Sequence, residues 1–233
     1  MERIIPKHLS QDHATGLHEA EIIAQYELGS GQNFVYLILD WQTKQAAMVD
    51  PQKDLSGMLA DLKKHDFELT AILLTHTHHD HIAGVVPLLK QFPDLTLRVG
   101  KDDLHRLPEF VCSAPGLKIV SDREEFNVGQ LKFSAHHTPG HSAGEFCYYL
   151  AHPQPYLFTG DTIFIRDCGR TDFSDGSNEE MFRSIQRIKK FPPETVFLVG
   201  HHYAKECSTT LARELMASLP FQVKSVDELT ALP

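Results

Sequence analysis

The segment His76-Thr77-His78-His79-Asp80-His81 sets four side chains able to bind a metal ion, His76, His78, Asp80 and His81, within six residues. Neutral imidazole and ionised carboxylate are good donors to zinc, iron or manganese. Three later turns each add one more donor. They are Thr138-Pro139-Gly140-His141-Ser142-Ala143-Gly144, Phe158-Thr159-Gly160-Asp161-Thr162 and Val199-Gly200-His201-His202-Tyr203. A lone HxH pair is more often two solvated loop histidines, and a lone Asp161 is as often a turn cap. Four donor-bearing segments, each after an apolar run or in a Pro/Gly turn, are the pattern of a metal centre. The chemistry they suggest is activation of water or substrate at bound metal.

These donors must be carried by elements that end together. Runs rich in Val, Ile, Leu and Tyr predict strands over Phe34–Leu39, Ala46–Val49, Thr70–Leu74, Leu131–Ala135, Phe146–Leu150, Tyr156–Phe158 and Thr195–Val199. Leu55, Met58, Leu59 and Leu62 share a helical face, as do Met181, Ile185 and Ile188. The second helix opens on a capping box of Ser177 and Glu180 and closes at Lys189, Lys190 and Pro192. Alternation of strand and helix would suit a parallel sheet. The short links Trp41–Lys44 and His152–Gln154, however, read as hairpins. The expectation is therefore an α/β fold in which two mixed β-sheets are flanked by helices, an αββα sandwich. Residues 204–233 read as a short helical tail, with Leu211, Leu215 and Leu219 at helical spacing and a capping box at Ser225 and Glu228. Residues 1–233 are expected to form one domain.

Composition narrows the function. Acidic residues exceed basic ones, 31 against 22, which disfavours a nucleic-acid partner. No apolar run reaches the roughly 18 residues of a membrane span, and residues 1–16 are polar, unlike a secretory leader. Cys112, Cys147, Cys168 and Cys207 form no CxxC pair, so neither a thiolate zinc site nor a disulfide framework is indicated, and a reducing cytoplasm is the expected compartment. The 15 histidines stand out, and the donor-bearing segments are where they cluster.

The HxHxDH segment, the PGHSxG turn, the TGDT turn and the final GHxY, in this order, resemble the metallo-β-lactamase superfamily from Asn33 to Tyr203. The resemblance implies the metallo-β-lactamase fold with metals at one edge. It implies that His76, His78 and His141 hold a first metal, Asp80, His81 and His201 a second, and Asp161 bridges them. Two divalent ions, zinc in the first instance with iron or manganese as alternatives, would share a water roughly 3.5 to 4 Å apart and polarise a carbonyl. Asp80 would orient that water as a catalytic residue and could pass a proton to the leaving group.

Among branches, Asn33-Phe34-Val35-Tyr36-Leu37, Val49-Asp50-Pro51, Cys168-Gly169-Arg170 and Pro192-Pro193-Glu194-Thr195 look like the glyoxalase II-like group, thioester hydrolases acting on hydroxyacylglutathione. That resemblance implies substrate-binding roles for Arg170 and Tyr203; a surface arginine and a packed core edge are the alternatives. The tail after Tyr203 is shorter than the helical domain of full-length glyoxalase II enzymes, and His202 stands where that group has an acidic residue. An acyl carrier protein or coenzyme A thioester therefore stays open beside a glutathione conjugate. Glu180–Gln186 resembles short thioesterases of polyketide pathways. A rival class is the persulfide dioxygenase branch, which Ile165–Phe173 resembles. It implies a single iron on His76, His141 and Asp161 and glutathione persulfide as substrate. A shorter tail than that branch carries favours the hydrolase. Nuclease, β-lactam and purely binding roles rank lower. Among neighbours, Cys168 is expected to be buried and unreactive, and His79 and His137 are candidates to orient the ligand imidazoles.

Overall fold

The computed structural model describes residues 21–232, so the reading of residues 1–16 as a polar segment without a leader lies outside the described residues. Six strands make the first sheet in chain order: β1 (Ile23–Leu28), β2 (Asn33–Asp40), β3 (Gln45–Val49), β4 (Glu68–Leu73), β5 (Thr96–Gly100) and β6 (Leu117–Val120). The first two pairings are antiparallel and the last three parallel. Next in the chain come β7 (Glu125–Val128), β8 (Leu131–His137), β9 (Phe146–Ala151) and β10 (Tyr156–Gly160), then a ribbon of β11 (Ile163–Phe164) and β12 (Asp167–Cys168), then β13 (Val196–Val199) and β14 (Thr209–Thr210). The second sheet has the order β14-β13-β10-β9-β8-β7. In it β10 and β13 run parallel and the other neighbours antiparallel.

The layering follows from which side chains need cover. Every residue of β2 is buried, because alternate side chains enter two different cores. Phe34, Tyr36 and Ile38 pack with Phe133, Tyr148 and Phe158 between the sheets. Val35, Leu37 and Leu39 pack on the outer face with Met58 and Leu62 of α1 (Ser56–Lys64) and with Val85 and Leu88 of a later helix, Val85–Gln91. A four-residue helix, α2 (His79–Ile82), precedes that one, which is α3, and α4 (Glu109–Cys112) follows β5. On the opposite side α5 (Asn178–Ile188) buries Met181, Ser184, Ile185 and Ile188 along one stripe. The expected αββα sandwich is present. Burying each large apolar side chain stabilises it by about 1.5–3 kcal/mol.

Both expected hairpins form, β2 to β3 and β9 to β10. The first is fixed by Asp40, whose carboxylate accepts from the Gln42 N–H, the Thr43 hydroxyl and the Gln130 N–H. Ser177 caps α5 by accepting from the Glu180 N–H, but the Glu180 carboxylate pairs with Arg183 instead of turning back, so the capping box is half made. The tail departs from the single leucine stripe. Helix α6 (Leu211–Ala217) stops at Ser218, and α7 (Leu219–Gln222) restarts with Pro220 in its first turn, where a missing N–H costs nothing. Leu211 is buried, while Leu215 and Leu219 are exposed. The last helix, α8 (Val226–Thr230), is capped by Ser225, but the Glu228 carboxylate accepts from the Lys224 N–H, so this box too is half made. Among the described residues, no helix is long and apolar enough to cross a membrane.

Candidate metal centre

Parallel pairing brings four strand ends to one edge. β3 and β4 end together at Val49 and Leu73, and β10 and β13 end at Gly160 and Val199. The two sheets are stitched there by Phe34 N–H to the Gly200 carbonyl (2.8 Å), Phe146 N–H to the Thr75 carbonyl (2.8 Å), and a bridge between Asn33 and His201. The loops carrying His76, Asp161 and His201 therefore face one another, joined by the β8–β9 turn that carries His141.

The donors fall into two groups, each with ligand atoms within 4.8 Å of one another: His76, His78 and His141, and Asp80, His81 and His201. In the first, His78 Nδ1 and His141 Nε2 are 2.9 Å apart; in the second, His81 Nε2 and His201 Nε2 are 3.1 Å apart. Asp161 lies between the groups. One of its oxygens is 3.5 Å from His81 Nε2, and the other is 3.5 Å from His141 Nε2 and 3.3 Å from His201 Nε2. A third combination, Asp50 with His76 and His81, meets the same distance test, but Asp50 contacts His81 through Nδ1, the ring nitrogen turned away from the cluster.

Acceptors behind the rings determine which nitrogen faces inward. His141 Nδ1 lies 2.9 Å from the Arg170 carbonyl and His201 Nδ1 lies 2.7 Å from the Gly31 carbonyl. A carbonyl only accepts, so each Nδ1 carries the proton and each Nε2 offers a lone pair. Asp50 Oδ2 does the same for His81 at 3.1 Å. The Thr75 hydroxyl, itself donating to Asp50 at 2.6 Å, can accept from His76 Nδ1 at 3.1 Å. That leaves the buried His76 Nε2 with no hydrogen-bond partner among the described residues, as is also true of Asp161 Oδ1.

Electrostatics follow from the same packing. Burial, reinforced by the charge of His81, pushes His76 well below the usual histidine range. Burial and the neighbouring His141 lower His78 to about 4, and burial likewise lowers His141. These three are therefore neutral, the form that ligates. For Asp161, burial is outweighed by His81 and His201, which hold its carboxyl far below the carboxylate range. His81 moves the other way, to about 9, because Asp161, Asp50 and Asp80 outweigh its burial, and Asp161 raises His201 too; without an ion His81 Nε2 keeps a proton, which it would give up to a bound cation. Glu145, buried beneath the site, accepts from the Asp161 N–H at 2.9 Å, and burial together with Asp161 raises its carboxyl well above the usual range.

Close packing at the strand ends requires glycine. Gly160 takes φ of 50°, and a side chain there would also meet the Thr75 hydroxyl; a Cβ on Gly200 would lie 2.1 Å from Asp161 Oδ1.

All seven predicted donors thus converge. The flanking residues divide. Tyr203 is exposed, not a packed core edge, and its ring stacks on His201 at 4.7 Å. Arg170 is a surface arginine whose guanidinium is bound by Asp172 and lies over Phe173; its backbone carbonyl, not its charge, touches the site. The His79 side chain is 98% exposed, and its Nδ1 lies 3.8 Å from Asp80 Oδ1, beyond hydrogen-bond distance. His137 Nε2 meets the Ala143 carbonyl at 3.0 Å and braces the His141 turn. Burial raises the Cys168 thiol to about 12, in keeping with an unreactive cysteine. His202 turns away to Glu27, 2.7 Å from its Nδ1. Sequence reasoning missed Asp50, Asp103, Glu145 and Asn33 as members of the site. Asp50, directly after an apolar strand in Val49-Asp50-Pro51, carried a usable signal. Asn33 donates to Asp80 at 2.9 Å, and both line an open cleft of about 1130 Å³.

The chain is 33% identical over 215 residues to a probable polyketide biosynthesis zinc-dependent hydrolase, BaeB, of Bacillus velezensis, covering 91% of this chain and 90% of that one. It is 36% identical over 171 residues to a hydroxyacylglutathione hydrolase of Cronobacter sakazakii, covering 73% of this chain and 62% of that one, so it matches less than two thirds of that relative's length. The crystal structure of ETHE1 from Myxococcus xanthus superposes with a TM-score of 0.77 at 29% identity, covering 91% of this chain and 92% of that one. The model of the metallo-beta-lactamase superfamily matches residues 28–201, and to that superfamily this chain belongs.

Proposed function

We propose that the protein is a metal-dependent hydrolase of acyl thioesters, with a small-molecule glutathione conjugate or a carrier-bound acyl group as substrate. The observation that carries this reading is the position of Asp161, within 3.5 Å of imidazole nitrogens from both donor groups. His76, His78 and His141 would hold one divalent ion and Asp80, His81 and His201 another, with Asp161 shared; zinc suits the donor set. Such ions supply a water of lowered pKa and polarise a carbonyl.

The chain's own residues supply positioning. Asp80, partly open to the cleft and held by the Asn33 amide, would accept a proton from the attacking water. A thiolate leaves without protonation, so no acid is required on the opposite side. Tyr203, exposed and stacked on His201, offers a ring to the substrate as it enters. The relatives named hydroxyacylglutathione hydrolase and zinc-dependent hydrolase support the reading.

The second reading is a single-iron persulfide dioxygenase using His76, His141 and Asp161. The relatives named zinc-dependent hydrolase and hydroxyacylglutathione hydrolase favour the hydrolase. Metal analysis of purified protein, with assays on lactoylglutathione and glutathione persulfide, tests the choice. Two metals and thiol release are expected; one iron per chain with oxygen uptake overturns the proposal. His81→Ala should abolish thioester hydrolysis.

A further inference from the structure

Asp103 has no part in the donor set, yet it is completely buried in the turn after β5, Lys101–Arg106. A buried carboxylate costs several kcal/mol unless it is paired and hydrogen-bonded. The hydrogen bonds its carboxylate accepts all come from the two loops of the first donor group. Oδ2 accepts from the Thr77 N–H (2.9 Å) and the Ser142 hydroxyl (3.0 Å), and Oδ1 accepts from the Gly144 N–H (2.8 Å). The Asp103 carbonyl accepts from the Thr77 hydroxyl at 2.8 Å. Thr77 stands between His76 and His78; Ser142 follows His141. Arg106 faces Asp103 Oδ1 at 3.3 Å and binds Asp175 with its other terminal nitrogen, while Asp175 accepts from the Ala143 N–H at 3.3 Å. A Cβ on Gly144 would lie 2.6 Å from Asp103 Oδ1, so the carboxylate fills a space left for it.

We propose that Asp103, held by Arg106, is a positioning residue that sets the separation of the His76–His78 loop from the His141 turn. Metal affinity of the first donor group then depends on it, while that of the Asp80, His81 and His201 group does not. The second group is supported by Asp50, Asn33 and the Gly31 carbonyl, none of which touches Asp103. The inference rests on the reading that both groups bind metal.

Asp103→Asn is the sharpest probe. An amide can accept at only one end, so its NH2 must face either the Thr77 or the Gly144 N–H. Ser142→Ala removes a single bond and serves if the first variant does not fold. Zinc binding to metal-free protein is followed by competition with a chromophoric chelator, and each step is assigned from ¹⁵N-histidine spectra. Wild-type protein should bind two zinc ions. Asp103→Asn should weaken the step that shifts His78 and His141 by about 10- to 100-fold and leave the step that shifts His81 and His201 unchanged; Ser142→Ala should weaken the same step less. Equal weakening of both steps, or none in either folded variant, overturns the positioning role. Wild-type protein that binds no zinc overturns the metal reading and this role with it.

Discussion

Asp50 Oδ2 lies 3.1 Å from His81 Nδ1, and the same carboxylate accepts the backbone N–H and the hydroxyl of Thr75 at 2.8 and 2.6 Å. One side chain at the end of β3 thus fixes the His81 imidazole and Thr75, the residue before His76. Asp50→Asn would keep the shape but present an NH2 group to positions occupied by donors. Zinc affinity at the Asp80, His81 and His201 group should fall about 10- to 100-fold, while the far-UV spectrum stays native. Unchanged affinity in a folded variant would show that His81 is oriented by its packing alone.

Removing metal should lower stability by mass action, because converging donors are assembled only in the folded chain. The thermal midpoint should fall on treatment with a chelator and recover on adding zinc; the shift corresponds to about 2.7 kcal/mol when free zinc stands at 100 times Kd. Calorimetry across a zinc series checks this. A midpoint independent of zinc would contradict binding at these residues.

Gly200→Ala should harm catalysis more than folding. The new Cβ would lie 2.1 Å from Asp161 Oδ1 and 3.0 Å from the Gly160 carbonyl, so the shared carboxylate must move. Overpacking of this kind costs about 1–3 kcal/mol. A displacement on the order of 1 Å at a reacting centre lowers rate by about 100-fold. Steady-state kinetics on a thioester, beside urea denaturation, separates the two effects. Full activity in the variant would mean that Asp161 tolerates displacement.

These relationships show which parts of the site were legible in the sequence. That the seven side chains would gather was readable because imidazoles and carboxylates directly following apolar strands have few other reasons to do so. Their supports were not. Asp103 lies 26 residues from Thr77 and 41 from Gly144, and only parallel pairing of β4 with β5 and packing between sheets bring them together. The fold class followed from the hairpins and helical faces, yet β1 escaped notice because Gln25 and Glu27 break its apolar run. Gln25 is nonetheless buried, with its NH2 group donating to the Tyr36 hydroxyl and the Cys207 carbonyl. β6 escaped because Lys118 and Ile119 face solvent at the sheet edge. Leucine spacing misled at α6, since spacing alone does not register that Pro220 restarts the helix.

His136 supplies a pH dependence remote from the donor groups. Its ring packs on Phe191 and Tyr149, its Nε2 lies 2.8 Å from the Ser134 hydroxyl, and burial, reinforced by Arg187 and opposed by Asp122, lowers it to about 4. An unfolded histidine titrates near ~6.5. Between these values the unfolded chain binds the proton that the folded chain refuses, so stability rises with pH across the window and is lost as pH falls from about 6.5 towards 4. His76 and His78 also fall below the ordinary range, so the wild-type curve alone is not diagnostic. The difference between wild type and His136→Gln isolates this residue. Urea midpoints at pH 7 and pH 5 should converge in the variant relative to wild type. Parallel loss of stability in both proteins would mean that His136 is protonated in the folded chain as readily as in the unfolded one.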